Sequence, residues 1–121
     1  TQGSYTCNPA CVRLNTVTDA AGKVTTFGYT HPTNPFLITS VTDPFGRVTT
    51  FGYNANKRLL SITDPAGIVS SFTYGTKNGG TYDNATSVTT PYGTTTFDTT
   101  GTTGNQRVLQ ITDPLGGVQR L

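Results

Sequence analysis

The stretch VTDPFGRVTTFGY, Val41 to Tyr53, has a near-copy 24 residues upstream, VTDAAGKVTTFGY, Val17 to Tyr29. A third copy, ITDPAGIVSSFTY, runs from Ile62 to Tyr74; a worn fourth begins at Val88 and a truncated fifth at Ile111. Aligned on Asp19, Asp43, Asp64, Thr90 and Asp113, the copies lie 24, 21, 26 and 23 residues apart. Recurrence at such a period marks an array of like units, none of which can bury an apolar face alone. A strand takes about five to six residues and a hairpin turn about two to five, so one interval holds two strands and two turns. The expectation is an all-β chain of tandem antiparallel β-hairpins, about five repeats in one curved or spiralling sheet. With 27 Thr, 14 Gly and 7 Pro but no Glu, the local preference is for strands and turns. The length allows one domain, read as an extension over 1–13 and an array over 14–121.

The turns are expected near 19–22, 43–46, 64–67, 90–93 and 113–116. In TDPFG, Asp43 accepts N–H groups ahead of it, Pro44 presets φ at the second position, and Gly46 takes positive φ. The same roles fall to Asp64, Pro65 and Gly67, and to Asp113, Pro114 and Gly116. The first copy keeps Asp19 and Gly22 with Ala20 between them; the fourth has Thr90 for Asp and keeps Pro91 and Gly93. The second turn of each repeat varies, from YNANKRL and FDTTG to the longer THPTNPF and GTKNGGTYDNATS. The last contains Asn78-Gly79, a strong hairpin signal.

Period two puts Thr49, Phe51 and Tyr53 on one face of the next strand and Val48, Thr50 and Gly52 on the other. Phe27 with Tyr29 and Phe72 with Tyr74 repeat the pattern. Val41 and Ile62 are matched apolar positions on the returning strands, so aromatic and aliphatic rows should alternate on one packed face.

These residues resemble the YD repeat of the Rhs family, Tyr-Asp-x-x-Gly-Arg-Leu followed by Thr-Asp-Pro-x-Gly. Tyr53, Asn54, Arg58 and Leu59 match the first half, with Asn54 for Asp and Lys57 for Gly; Phe97, Asp98 and Gly101 match it with Phe for Tyr. The resemblance covers about Leu14 to Leu121. It implies a β-rich spiral of the kind that forms hollow shells in toxin, insecticidal-complex and teneurin-like proteins, in some enclosing a polypeptide payload. The family's self-cleaving core has no match here, so no catalytic residues are carried over.

The chemistry-bearing residues support no enzyme. His31 is the one histidine and lies in a Pro- and Asn-rich loop without a nucleophile at recognisable spacing. The aspartates come a repeat apart, which suits turns and not paired carboxylates or a calcium loop. No metal or cofactor is expected. A net charge of +2 with scattered basic residues argues against nucleic acid. No 18-residue apolar run is present, so no helical membrane span is expected. Cys7 and Cys11 can close a short disulfide in an oxidising compartment. The absence of Met and the break after the last turn are expected of a processed product or a fragment. The expected role is a structural segment of an extracellular or exported protein. Its open edges would meet further repeats or copies of itself. Two alternatives are a self-assembling subunit of a β-rich filament and a glycan-binding module using Tyr29, Tyr53 and Tyr74.

Overall fold

The computed structural model describes residues 12–77, 80–98, 102–103, 106–107 and 109–121. Cys7, Cys11 and their expected disulfide lie outside the described residues, as do most of the 1–13 extension, Asn78-Gly79 and Gly101.

The chain is all β. Its strands are β1 (Thr16–Thr18), β2 (Val24–Gly28), β3 (Ser40–Thr42), β4 (Val48–Tyr53), β5 (Leu59–Thr63), β6 (Val69–Lys77), β7 (Gly80–Thr90), β8 (Gly93–Asp98), β9 (Thr102–Thr103), β10 (Gln106–Arg107), β11 (Gln110–Thr112) and β12 (Val118–Arg120). Ten of them form one antiparallel sheet in chain order, with β9 and β10 set aside as a small hairpin between β8 and β11. Within the large sheet each strand pairs with the next in chain order, β8 passing over the small hairpin to pair with β11. The strands β1, β3 and β11 read TVT, SVT and QIT, and β5 ends in SIT. In each, a β-branched apolar residue stands between polar ones, which is the period-two signature of a strand with two unlike faces.

Four of the Asp turns share one geometry. Asp43 Oδ1 accepts the N–H groups of Phe45 (2.9 Å) and Arg47 (3.0 Å), while Gly46 N–H donates to the Asp43 carbonyl (3.0 Å). Asp19, Asp64 and Asp113 hold their amides at i+2 and i+4 in the same way. The fourth residue is left-handed in each: Gly22, Gly46, Gly67 and Gly116 have φ between 76 and 86°. This is a three-residue hairpin loop closed by a left-handed residue. Thr90 departs from it. Its hydroxyl accepts one amide, that of Tyr92 (3.2 Å), and Thr90 pairs directly with Gly93 across a two-residue loop.

One turn expected to vary is the same turn again. Asn54 Oδ1 accepts the N–H groups of Asn56 (2.9 Å) and Arg58 (3.0 Å), and Lys57 takes the left-handed place with φ 65°. A side chain there costs about 1–2 kcal/mol. Lys57→Gly should therefore raise the unfolding free energy by roughly 0.5–1 kcal/mol after the entropy that glycine adds to the unfolded chain. Urea unfolding of the two chains checks this.

The register defines the repeat. Phe27 stands opposite Val41, and Val41 opposite Thr49. The rows Phe51–Ile62–Ser70, Phe72–Val88–Thr95 and Phe97–Ile111–Gln119 follow the same rule. The face is thus built of aromatic–aliphatic–polar rows. On β4 the new row starts at Phe51, two residues beyond Thr49, where the old row ended. The repeats climb one residue per strand.

The opposite face carries hydroxyls. Gly52, Ser61, Ser71, Thr89 and Thr94 form one row across β4 to β8. Thr73 and Ser87 share a hydrogen bond (2.7 Å), as do Thr89 and Thr94 (2.9 Å). Gly52 has a packing reason: a Cβ there would stand 2.5 Å from Ser61 Oγ.

Candidate functional site

Among the described residues no side chain is buried, polar or apolar. The sheet is a single layer, and its aromatic face is covered only by the neighbouring rows. Phe27, Tyr29, Phe51, Tyr53, Phe72 and Tyr74 are all half-buried on that face. This face is the candidate functional surface.

A repeated clasp orders it. Tyr29 Oη donates to the Leu14 carbonyl (2.8 Å), Tyr53 to Ile38 (2.6 Å) and Tyr74 to Leu59 (2.7 Å), always fifteen residues back. Tyr29 and Tyr53 reach back from the ends of β2 and β4, and Tyr74 from within β6, to the entry of the strand before. Beside two clasps the register shifts, between Gly52 and Tyr53 and between Thr73 and Tyr74. A bulge of this kind turns the strand and re-aims a side chain. Cations lie over two of the rings: Arg13 over Tyr29 at 5.0 Å and Arg58 over Tyr74 at 5.7 Å. Tyr53 instead meets the edge of the His31 ring, with centroids 5.8 Å apart and planes at 83°.

Burial raises the Tyr53 phenol above its ordinary value of 10.0. The unfolded chain ionises first, so this share of stability is intact below about pH 10 and is lost as pH rises towards the folded value. Tyr53→Phe should remove that share of the alkaline loss. At neutral pH it should cost about 1 kcal/mol, because the Ile38 carbonyl loses its donor. Urea unfolding at neutral and alkaline pH checks both parts. At Asp43 burial acts upward, but the Arg47 amide, the Arg47 guanidinium (2.6 Å) and the Phe45 amide outweigh it and hold the carboxyl below its ordinary value.

The Asp turns and the Thr90 turn lie at one end of the strands, and the Asn54 turn lies at the other. The third positions of the Asp43, Thr90 and Asp113 turns carry exposed large apolar groups: Phe45 at 70 %, Tyr92 at 86 % and Leu115 at 97 %. Phe45 lies between Lys23 (4.9 Å) and Arg47 (5.4 Å). Among the described residues no group of three or more His, Cys, Asp or Glu could hold a metal ion. No helix is long and apolar enough to cross a membrane.

Residues 37–69 and 53–96 each match the RHS Repeat family. The chain belongs to the RHS-repeat family. The two matches overlap and together run from the entry to β3 into β8, so the RHS repeat covers the most regular part of the sheet. No curated protein matches the chain.

The RHS motif falls differently from the sequence alignment in one copy. Phe97 stands opposite Ile111, as Phe51 stands opposite Ile62, so it holds the inner aromatic place and not that of the clasp tyrosine. The clasp place of that copy falls at Thr99, outside the described residues. The arginine of the motif recurs where sequence reading missed it. Arg13, Arg58 and Arg107 each stand six residues before their turn aspartate, with Leu37 in the second copy. Aligning on the aspartates and reading backwards would have found them.

Proposed function

We propose that the chain is a non-enzymatic wall segment of an extracellular or exported RHS-repeat protein. One observation carries this reading: aromatic–aliphatic–polar rows recur from β2 to β12 on one face, and among the described residues no side chain is buried. An uncovered apolar face of this extent marks a contact surface. The polar members of these rows are Thr49, Ser70, Thr95 and Gln119, and a separate row of hydroxyls lies on the opposite face. The covering layer would be a further part of the wall or an enclosed polypeptide. The repeat family supports a structural role, and the clasps and turns account for the tyrosines and aspartates without chemistry.

The test compares the two faces. Thr49→Cys sits on the aromatic face and Thr94→Cys on the hydroxyl face, each in a chain whose Cys7 and Cys11 are replaced by Ser. In the assembled protein that carries this segment, maleimide should label position 94 and spare position 49. In the isolated chain it should label both. Equal labelling at both positions in the assembly would refute the wall reading.

A second reading has its own support. Among the described residues β1 and β12 each pair on one side only, and such edges accept further strands. Copies of the chain meeting there would give a filament. A glycan-binding role has less support, because Arg13 and Arg58 already lie over two of the three clasp tyrosines.

A further inference from the structure

The two outer strands of the large sheet are exposed where their counterparts within it are not. Every residue of β1 (TVT) is exposed, while β3 (SVT) and β11 (QIT), which also lead into an Asp turn, are half-buried. On β12 Gln119 is exposed, whereas Thr25 and Thr49 in the same place on β2 and β4 are half-buried. The rows show what each edge lacks. Val17–Thr25 has an aliphatic and a polar member, and among the described residues no aromatic stands before them. At the other edge Leu121 lies eight residues after Asp113, as Phe27, Phe51 and Phe72 lie eight after Asp19, Asp43 and Asp64. Leu121 thus holds the place from which the next row starts. The backbone agrees. Leu121 exchanges both hydrogen bonds with Leu109 (2.9 and 3.1 Å), so the N–H and C=O of Arg120 point away from β11. The Asn15 carbonyl and the Asp19 N–H bond towards β2 (2.8 and 3.0 Å), so the backbone groups of Thr16 and Thr18 point outward.

We propose that β12 of one copy pairs antiparallel with β1 of a second copy in the repeat's own register, with Arg120 opposite Thr18 and Leu121 opposite Val17. The same pairing stands inside the sheet as Thr26 with Thr42 and Phe27 with Val41. Leu121, 77 % exposed, then completes the row Val17–Thr25 of the second copy and covers Val17, itself 48 % exposed. The two edges are unlike, so the contact runs head to tail and propagates. Like edges fit less well. Two β12 edges bring Arg120 towards its own copy, and like charges facing each other across strands are destabilising. Two β1 edges set Val17 beside a strand that also lacks the aromatic place. The proposal rests on the second reading above, that copies meet at these edges, and gives that meeting its direction and register.

Cysteine cross-linking tests it, in a chain whose Cys7 and Cys11 are replaced by Ser. Leu121 and Val17 would face each other as a non-hydrogen-bonded pair with Cα atoms about 4.5 Å apart, within reach of a disulfide. Oxidising a mixture of Val17→Cys and Leu121→Cys chains should give a mixed dimer, and the double variant should give a ladder of multimers. Arg120→Pro in the Leu121→Cys chain removes the outward N–H and leaves the Leu121 bonds to Leu109 in place. It should lower the yield of mixed dimer at least about tenfold, because the outward N–H is needed for the pairing. An unchanged yield would overturn the proposal. Dimers formed as readily by either single variant alone would mean that like edges meet, so the second reading would stand and the head-to-tail register would fall. No cross-link in any variant would refute both. A double variant that bridges only within one chain would also overturn the proposal, since the sheet would then close on itself.

Discussion

Phe51→Ala is expected to lower the unfolding free energy by about 2–3 kcal/mol, below the roughly 3–5 kcal/mol of a fully buried phenylalanine. Phe51 stands opposite Ile62 in the middle of the sheet and is half-buried in a single layer, so part of its surface meets water in both states. The control is Phe45→Ala. Phe45 is 70 % exposed at a turn tip, with Lys23 and Arg47 beside its ring. Losing those cation contacts at an exposed site costs about 0.5–1 kcal/mol. Urea unfolding of both variants separates a row-forming aromatic from a decorative one. Equal losses would mean that the rows do not hold the sheet together.

Asp64→Ala should cost about 2 kcal/mol, since one carboxylate oxygen holds the amides of both Ala66 (2.8 Å) and Ile68 (2.9 Å). Asp64→Asn keeps an acceptor in the same place and should cost only about 0.5 kcal/mol. Asn54 shows that an amide oxygen serves, because it holds the same turn in the same sheet. If Asn proved as costly as Ala at position 64, charge rather than acceptor geometry would govern the turn. Thermal unfolding at neutral pH distinguishes the two.

The parts of this fold that sequence discloses are those written into adjacent residues. Asp-Pro-x-Gly declares a turn, and Val-Thr-Thr-Phe declares two unlike faces. Asn54 and Lys57 hid a turn of the same kind, because Asn in place of Asp and Lys in place of Gly look like a different loop. Only the φ of Lys57 and the two amides on Asn54 reveal the identity. The tyrosine clasp was hidden for another reason. Tyr53 and Ile38 lie fifteen residues apart, and their meeting depends on the register between strands. Phe97 was misplaced on the same ground: it reads as a clasp aromatic in Phe-Asp-Thr-Thr-Gly, yet pairing with Ile111 fixes it one place inward. That His31 Nδ1 accepts two loop amides is not legible in the sequence, because a histidine acting as a turn acceptor has no signature beyond the following proline.

On the proposed reading, the repeats make one layer whose aromatic face is left for something else to cover. Light scattering of the isolated chain over a dilution series, with a fluorescent apolar dye in the same samples, tests it most directly. Association that weakens on dilution is expected, with dye fluorescence rising as the mass falls. A compact monomer at every concentration that leaves the dye dark would contradict it, because the aromatic rows would then be covered within the chain itself.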